Sequence, residues 1–254
     1  MAINILLLTA TVQPPQGAIG LVRTDVNLRK RDYLEAMAFY LGEIERGTFE
    51  KIVLVDNSNT PLDFLQELVD ARGAGDNVEL ISYDGLDYPP EDGRTYGEFK
   101  LIDDAYRLSR VLQAVDDDDI VWKITGRYTV HNIDKLASRR PRGADLYCNA
   151  RTIPSKYLDL YCISWNGRGY RKFIQGIYPR LNVCNTTVPG ENLFFDILFD
   201  GKAAADIEVK PRFNVTPFIT GVRGFTNTGF NVGKDRRKFY LRVALRRVAP
   251  WIWV

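Results

Sequence analysis

Two features of the sequence predict a mostly parallel α/β fold. Through the first half of the chain, short apolar runs rich in β-branched residues alternate with segments of helical period. Turns that contain Gly, Pro, Asn or Asp separate these segments. Such alternation is typical of βαβ units, in which helices cover both faces of a parallel sheet. A chain of 254 residues is long enough to bury one large core of this kind.

Strands and helices alternate regularly in the first half. Strands are predicted at residues 3–10, 51–59 and 77–84 and within 118–130. Helices are predicted at residues 31–47, 61–73 and 97–115. The helix at 61–73 has Pro61 at its start and Gly73 at its end, which is the usual placement of these two residues at helix termini.

The second half of the chain is less regular. Strands are predicted at residues 144–150, 157–165 and 204–215, and helices at residues 169–181 and 189–201. The sequence contains no internal repeat and no low-complexity segment. We therefore expect these elements to complete the same domain.

The composition argues against several classes of protein. The formal net charge of +2 is too small to predict nucleic-acid binding. Three cysteines without a CxxC spacing and a single histidine form a poor zinc-ligand set, so we expect free thiols in a reducing, cytoplasmic setting. The apolar run at the N-terminus is too short to span a bilayer and lacks the basic start of a signal peptide.

Residues 118–130 (DDIVWKITGRYTV) join a core strand to two cations. The apolar run gives way to Lys123, Thr125, Gly126, Arg127 and Tyr128. Ligands of parallel sheets bind at the carboxyl ends of the strands, so both cations are expected at a ligand site. The alternative is that they pair with the acidic run at 116–119, which precedes the strand and is expected to be a solvated turn.

With these motifs, residues 3–200 resemble the glycosyltransferases of the GT-A fold. The resemblance rests on the first strand with its open loop and on IVLVDNSN, a second strand with a terminal acid. It also rests on a helix followed by a strand where the family usually carries a DxD motif, and that strand here reads IVWKITGRY. The succession of YGEFKLIDDAY and WKITGRY looks like a bacterial subgroup associated with surface-polysaccharide and lipopolysaccharide assembly.

The resemblance implies a nucleotide-sugar-dependent glycosyltransferase with a GT-A-like catalytic domain at residues 1–233. Within it, the donor-binding half is expected at about 1–132 and the acceptor half at about 133–233. A basic and aromatic tail follows at 234–254. The implied partners are a nucleotide-sugar donor and a glycan or lipid-linked glycan acceptor, with no nucleic acid.

The departure from DxD predicts metal-independent transfer. In most GT-A enzymes the DxD carboxylates hold a divalent cation that neutralises the donor diphosphate, whereas KITGR has no acid at this place. We expect Lys123 and Arg127 to contact the phosphates directly, and Gly126 to allow close approach of the backbone. Thr125 and Tyr128 belong to the same predicted donor site. No cofactor is expected, and a divalent metal is the less favoured alternative.

Further donor contacts are predicted at Thr9, Asp56, Asp84, Arg94 and Tyr96. In the resembling fold, acids after the second and third strands often contact uracil or ribose, which suits Asp56 and Asp84. The alternative for Asp56 is that it caps the following turn. The segment GRTYGEFK is expected to close over the donor, but it also fits an ordinary helix start, where Glu98 is explained by the helix dipole alone.

Glu191 is the predicted general base of an inverting transfer. In the resembling fold, an acid in an ED-like motif at a helix start often takes the proton of the acceptor hydroxyl, and GENLFF lies at about that position. Asn192 stands where the family often has Asp. Asp196 is a weaker alternative base, and the alternative role of Glu191 is helix capping.

The tail at 234–254 carries seven cations against one acid and ends in WIWV. Basic and tryptophan side chains suit an anionic membrane surface, so peripheral association with the inner face of the cytoplasmic membrane is expected. The alternative is a C-terminal helix that packs on the domain or on a second subunit.

Two other functions remain open. A sugar nucleotidyltransferase shares the nucleotide-binding topology, although it would need a glycine-rich phosphate loop, for which TATVQPPQG is a poor match. A non-enzymatic nucleic-acid-binding module would depend on the basic tail alone, and its binding would fall steeply with salt.

Overall fold

The computed structural model describes residues 2–15, 17, 20–186, 188–200, 205–230, 232–249 and 251–253. The strands are β1 (Asn4–Ala10), β2 (Lys51–Asp56), β3 (Val78–Ser82), β4 (Ile120–Thr125), β5 (Thr129–Val130), β6 (Leu146–Tyr147), β7 (Ala150–Arg151), β8 (Tyr157–Leu158), β9 (Cys162–Asn166), β10 (Val209–Lys210) and β11 (Ile219–Thr220). The helices are α1 (Val26–Glu45), α2 (Asp63–Ala71), α3 (Arg94–Leu108), α4 (Arg110–Gln113), α5 (Ile133–Ser138), α6 (Gly167–Gly169), α7 (Gly190–Phe199) and α8 (Lys234–Val248). Short 3₁₀ or π turns lie at Gly75–Asn77, Pro90–Asp92, Tyr170–Ile174 and Tyr178–Leu181.

Seven strands form the central sheet, in the order β3-β2-β1-β4-β9-β6-β10. The strands β1 to β4 are parallel to one another, and β10 is parallel to β6. Strand β9 runs antiparallel to both of its neighbours, β4 and β6. Two small sheets pair β5 with β11 and β7 with β8. The predicted α/β fold, with a mostly parallel central sheet and a C-terminal helix, is confirmed.

Helices cover both faces of the sheet and create two cores. Ile5 and Leu7 of β1 pack into the core that contains buried residues of α3 and α7. Leu6 and Leu8, which point to the opposite face, pack into the core that contains the buried face of α1. Burial on both faces explains why the strand reads as a continuous apolar run rather than an alternating one.

Capping side chains move two helix boundaries away from the predicted ones. Helix α1 begins before the predicted residue 31 because the Asp25 carboxylate accepts a hydrogen bond from Leu28 N at 2.9 Å. The single helix predicted at 97–115 is divided into α3 and α4. The Ser109 hydroxyl accepts a hydrogen bond from Leu112 N at 3.1 Å and starts the second helix.

The second half keeps the predicted elements but divides several of them. The strand predicted at 157–165 is present as β8 and β9, and the helix predicted at 189–201 is present as α7. The continuous helix predicted at 169–181 is wrong. Two short helical turns flank Gly176, whose φ of +71° does not occur inside an α-helix.

The carboxyl ends of three strands meet at one edge of the sheet. In the register of the sheet, Ala10 at the end of β1 pairs with Asp56 at the end of β2. Thr9 pairs with Thr125 at the end of β4. The polar segments that follow these strands are therefore neighbours.

Candidate functional site

A cavity of about 680 Å³ opens where the carboxyl ends of β1 and β4 meet. Thr9 and Thr11 line it from β1 and the following loop, and Thr125 and Arg127 line it from β4 and the following turn. The first turns of α3 and α7 and one side of α8 complete the lining. This edge of a parallel sheet is the usual place for a small-molecule ligand.

Positive charge predominates among the side chains that line the cavity. The eight cations are Arg29, Arg94, Arg127, Arg151, Arg223, Lys238, Arg242 and Arg246, and the four acids are Glu98, Asp159, Glu191 and Asp235. Asp235 lies 2.7 Å from Arg223 and 3.7 Å from Lys238. Asp159 lies 2.6 Å from Arg151. The excess of cations favours an anionic ligand.

The Glu98 carboxylate connects the ends of β1 and β4. Its Oε1 atom accepts hydrogen bonds from the hydroxyls of Thr9 at 3.2 Å and Thr125 at 3.3 Å. The same oxygen forms an ion pair with Nζ of Lys123, which also donates to the carbonyl of Leu160 at 2.8 Å. We call Thr9, Glu98, Lys123 and Thr125 the Glu98 network.

Lys123 is buried next to the cavity and does not line it. Its side chain is 1% exposed, whereas that of Glu98 is 24% exposed. The ion pair of Lys123 is with Glu98 and not with the acidic run at 116–119, in which Asp119 accepts a hydrogen bond from Ile3 N at 2.9 Å and Asp117 pairs with Arg171. For a helix predicted to begin at residue 97, the helix dipole accounts for Glu98, so its pairing with Lys123 was not expected; α3 begins at Arg94, and its first turn contains no acid.

Arg127 lines the cavity and has neutral partners. Its guanidinium donates to the Val222 carbonyl and to the Tyr128 hydroxyl at 3.0 Å, and the described part of the chain offers it no ion pair. Gly126 approaches protein instead of the cavity. Its N–H donates to the Thr9 carbonyl at 2.8 Å, and an added Cβ would lie 3.0 Å from that oxygen.

Asp56 is buried and organises the loops at the end of the sheet. Its carboxylate accepts hydrogen bonds from Val12 N at 2.6 Å and Ser58 N at 3.0 Å, which are contacts of the turn-capping kind. The next residue, Asn57, lines the cavity. Asp84 is exposed, and its backbone bridges to that of Ser58. Neither aspartate lines the cavity.

The two residues predicted at the start of α3 point in different directions. Arg94 lines the cavity, and its guanidinium lies 5.0 Å from the centre of the Phe225 ring. Tyr96 does not line it, because its ring packs 5.3 Å from that of Tyr88 and 5.1 Å from that of Tyr178. Burial there raises the pKa of Tyr96.

Glu191 lines the cavity from the first turn of α7. Its Oε1 accepts a hydrogen bond from the Tyr157 hydroxyl at 3.3 Å. Burial and the charge of Glu191 raise the pKa of Tyr157, so the phenol keeps its proton at neutral pH. The alternative base, Asp196, is exposed, lies 4.0 Å from Lys156 and does not line the cavity.

A second cationic group borders the cavity, and the sequence did not point to it. We call Arg151, Arg242 and Arg246 the arginine cluster. Arg151 pairs with Asp159 and lies 4.6 Å from the centre of the Tyr157 ring. Arg246 donates to Asn149 Oδ1 at 2.6 Å, and Asn149 donates in turn to Asp159 at 2.7 Å. Asn149 and Arg246, which are 97 residues apart in the chain, are thereby connected to one carboxylate.

Helix α8 packs on the domain, which is the alternative to membrane association given above for the tail. Phe239 lies 5.3 Å from Phe218 between ring centres, and the Trp253 carbonyl accepts hydrogen bonds from Thr152 N and Ile153 N at 3.0 Å each. The apolar side chains exposed on and after the helix are Tyr240, Leu241, Val248 and Trp251. The side chains that point to the cavity from α8 are Asp235, Lys238, Phe239, Arg242 and Arg246.

Within the residues that the structure describes, no three His, Cys, Asp or Glu side chains are grouped so that they would hold a metal ion. No helix in the same residues is long and apolar enough to cross a membrane.

No model of a protein family matches the chain, and no curated protein matches it. Among solved structures, the galactosyltransferase LgtC in complex with donor and acceptor sugar analogs is similar over 77% of this chain and 70% of its own, with 13% identity and a TM-score of 0.48. The Desulfovibrio desulfuricans G20 protein assigned to the nucleotide-diphospho-sugar transferases is similar over 97% of this chain and 98% of its own, with 13% identity and a TM-score of 0.47. The glycosyltransferase GlyE of Streptococcus pneumoniae TIGR4 is similar over 82% of this chain and 45% of its own, with 11% identity and a TM-score of 0.46.

Proposed function

We propose that this chain is a glycosyltransferase that moves a sugar from a nucleotide-diphosphate sugar to a glycan acceptor. The observation that carries the proposal is the cation-rich cavity at the carboxyl ends of β1 and β4, in which the partners of Arg127 among the described residues are neutral. A diphosphate at this place would supply the negative charge that the lining lacks. The volume of about 680 Å³ is within the range of small-molecule pockets.

Arg127 is the proposed contact to the departing diphosphate. Its planar guanidinium is able to donate two parallel hydrogen bonds to phosphate oxygens and to stabilise the charge that develops as the bond to the sugar breaks. For Lys123 we propose a role other than the direct phosphate contact that the sequence predicts. Because it is buried against Glu98, it acts as a positioning residue that keeps the Glu98 carboxylate at the cavity wall.

We propose that transfer does not need a divalent metal. At the strand end where the resembling family carries its DxD acids, the carboxylate present is that of Glu98, and Lys123 already neutralises it. The other members of the Glu98 network are two hydroxyls, which are weak ligands without further carboxylates. This set does not fit a magnesium or manganese ion, whereas the cationic lining fits the phosphates themselves.

Glu191 is the proposed general base of an inverting reaction. It takes the proton of the acceptor hydroxyl while that oxygen forms a bond to the anomeric carbon and the bond to the diphosphate oxygen breaks. The attacking oxygen then approaches the face of the sugar opposite the leaving group. The position of Glu191 in the lining, next to a phenol that keeps its proton, supports this role.

The test is a thermal-shift panel of nucleotide diphosphates and nucleotide sugars in EDTA, then with magnesium or manganese. We expect one nucleotide to raise the Tm in EDTA, and Arg127→Ala to weaken its binding about 30-fold, because a charge-assisted pair contributes about 2 kcal/mol. Arg110→Ala, at an exposed arginine outside the cavity, is the matched control. Binding that requires metal would contradict the metal-free mechanism. Release of pyrophosphate from a nucleoside triphosphate and a sugar 1-phosphate would indicate a sugar nucleotidyltransferase instead.

We also propose a cytoplasmic enzyme of surface-polysaccharide or lipopolysaccharide assembly that associates with the inner face of the membrane. Leu241 and Trp251 are exposed beside cations of α8, which suits an anionic lipid surface. Co-sedimentation with phosphatidylglycerol vesicles should decrease in the Leu241→Ser and Trp251→Ser double variant. Val22→Ser, at an exposed apolar residue outside α8, should sediment like the wild type. Equal sedimentation of all three proteins would refute membrane contact through α8.

A further inference from the structure

We propose that the arginine cluster is an anion-binding subsite for the acceptor, so that the acceptor carries a phosphate or carboxylate group near the hydroxyl that reacts. The inference rests on the proposed glycosyltransferase function and specifies the chemical class of its acceptor. It concerns Arg151, Arg242 and Arg246, which the predicted donor site does not include.

The hydrogen bonds of the cluster leave positive charge without a counterpart. The carboxylate of Asp159 is bonded to Arg151 directly and to Arg246 only through Asn149. Arg242 forms no hydrogen bond or ion pair with another described residue, although its charge acts on the phenol of Tyr161. Among the described residues, Asp159 is therefore the one carboxylate bonded directly to a guanidinium of the cluster, and a ligand with negative charge would balance the other two.

Two buried donors in the cluster lack acceptors. The Nε atoms of Arg151 and Arg246 are both buried and have no hydrogen-bond partner in the part of the chain that the structure describes. Buried donors are rarely left unpaired in folded proteins, so these two N–H groups indicate that the cluster is short of acceptors. Burial and, to a smaller extent, the charge of Arg212 lower the pKa of Arg246 to about 10.

The position of Glu191 assigns the cluster to the acceptor and not to the donor diphosphate. Arg151 stacks on the Tyr157 ring, and the Tyr157 hydroxyl donates to Glu191. In an inverting displacement, the base and the leaving group lie on opposite faces of the sugar. Arg151, which contacts Glu191 through Tyr157, therefore faces the acceptor together with the rest of the arginine cluster. Arg127, at the end of β4, faces the diphosphate.

Two sources of the anion share this chemistry. One is the phosphate that links a glycan to a lipid carrier or to another sugar, and the other is the carboxylate of an acidic sugar unit. Guanidinium groups bind both through paired N–H donors. Glucose 1-phosphate and glucuronic acid therefore serve as two probes, and methyl glucoside serves as the neutral comparison.

The experiment is isothermal titration of each probe into the full-length protein, first alone and then with the donor site saturated by the nucleotide diphosphate that binds best. We expect at least one anionic probe to bind wild-type protein about tenfold more tightly than methyl glucoside. Arg242→Gln should remove this preference, and Arg242→Lys should keep part of it. Arg247→Gln, which changes an exposed cation of the same helix outside the cavity, should bind like the wild type.

The outcomes separate the subsite from the donor site. Preference for glucose 1-phosphate or for glucuronic acid identifies the source of the anion and supports the subsite. Equal affinity of wild type and Arg242→Gln for both acids overturns it. Loss of nucleotide-diphosphate affinity in Arg242→Gln also overturns it, because the cluster would then belong to the donor. If no nucleotide diphosphate binds, the proposed function fails, while the titrations without nucleotide still decide whether the cluster binds anions.

Discussion

The Glu98 network and the arginine cluster border the same cavity, yet their charges are balanced in opposite ways. In the network, one carboxylate oxygen receives one ammonium and two hydroxyls, and the cation is 1% exposed. In the cluster, one of three guanidinium groups is bonded directly to a carboxylate, and two buried Nε donors have no acceptor among the described residues. A balanced group holds strands β1 and β4 in place, whereas an unbalanced group favours the binding of an anion. The first region is therefore structural, and for the second we propose ligand binding.

The largest expected effect concerns the acid that adjoins the cluster. Glu191→Gln should lower kcat of transfer by about 10²- to 10⁴-fold, because the amide cannot take the proton of the acceptor hydroxyl. Affinity for the nucleotide sugar should change little. Steady-state release of nucleotide diphosphate measures the first quantity, and titration calorimetry measures the second.

Asp196→Asn is the matched control for that prediction. Asp196 lies on the same helix but is exposed and outside the cavity, so its variant should keep the wild-type kcat. A large loss in Asp196→Asn together with normal activity of Glu191→Gln would move the base to the other acid. It would also remove the link between the arginine cluster and the acceptor.

The second prediction concerns variants that remove the charge balance of the Glu98 network. Glu98→Gln should lower the free energy of unfolding by about 3 kcal/mol, because it leaves the buried ammonium of Lys123 without its counter-charge. Lys123→Met should cost less, since the Glu98 side chain is 24% exposed and its carboxylate reaches water. Urea unfolding measures both values.

The double variant Glu98→Gln plus Lys123→Met tests whether the two residues act as a pair. We expect it to be more stable than Glu98→Gln alone, because an apolar side chain replaces the unpaired buried charge. If the stability loss of the double variant equals the sum of the two single losses, Glu98 and Lys123 do not act as a pair. The Glu98 network would then not be a charge-balanced group that differs from the arginine cluster.

The sequence predicts the first of the two regions better than the second. Strands β1 to β4 are visible as apolar runs because burial on both faces is a local pattern, and the segment from Lys123 to Arg127 is placed correctly at a strand end. The partner of Lys123 was not predictable, because the rotation of α3 decides which of its side chains meets β4. The order of cations in that segment also does not reveal that Lys123 is buried while Arg127 lines the cavity.

The grouping of the three arginines in the cluster could not be predicted from the sequence, for a different reason. Arg246 and Asn149 are 97 residues apart, and neither belongs to a recognisable motif. From the sequence, the cations of the tail suit a membrane surface, and that prediction requires only that they be exposed. Packing of α8 on the domain divides them between an outer face and the cavity, and only the fold decides this division.

The third prediction concerns the close contact of Gly126 with β1. In Gly126→Ala, the added Cβ would lie 3.0 Å from the Thr9 carbonyl and 3.3 Å from Cε1 of Tyr33. We expect a loss of about 1–2 kcal/mol in the free energy of unfolding, because the Thr9 carbonyl belongs to the backbone of β1 and cannot move away from the added methyl group. Gly75→Ala is the control, since nothing lies within 4 Å of its added Cβ. Equal stability of both variants would show that the turn after β4 is free to move.

The smallest effect on stability is expected in the arginine cluster, at Arg242. Arg242→Gln should change the free energy of unfolding by less than about 0.5 kcal/mol, because Arg242 has no hydrogen bond or ion pair with another described residue. A slight gain in stability is consistent with relief of repulsion among the three arginines. Urea unfolding at low and at high salt checks this point, since screening should reduce any gain. A loss of 2 kcal/mol or more would mean that Arg242 has a structural partner, and the cluster would then resemble the Glu98 network instead of a ligand site.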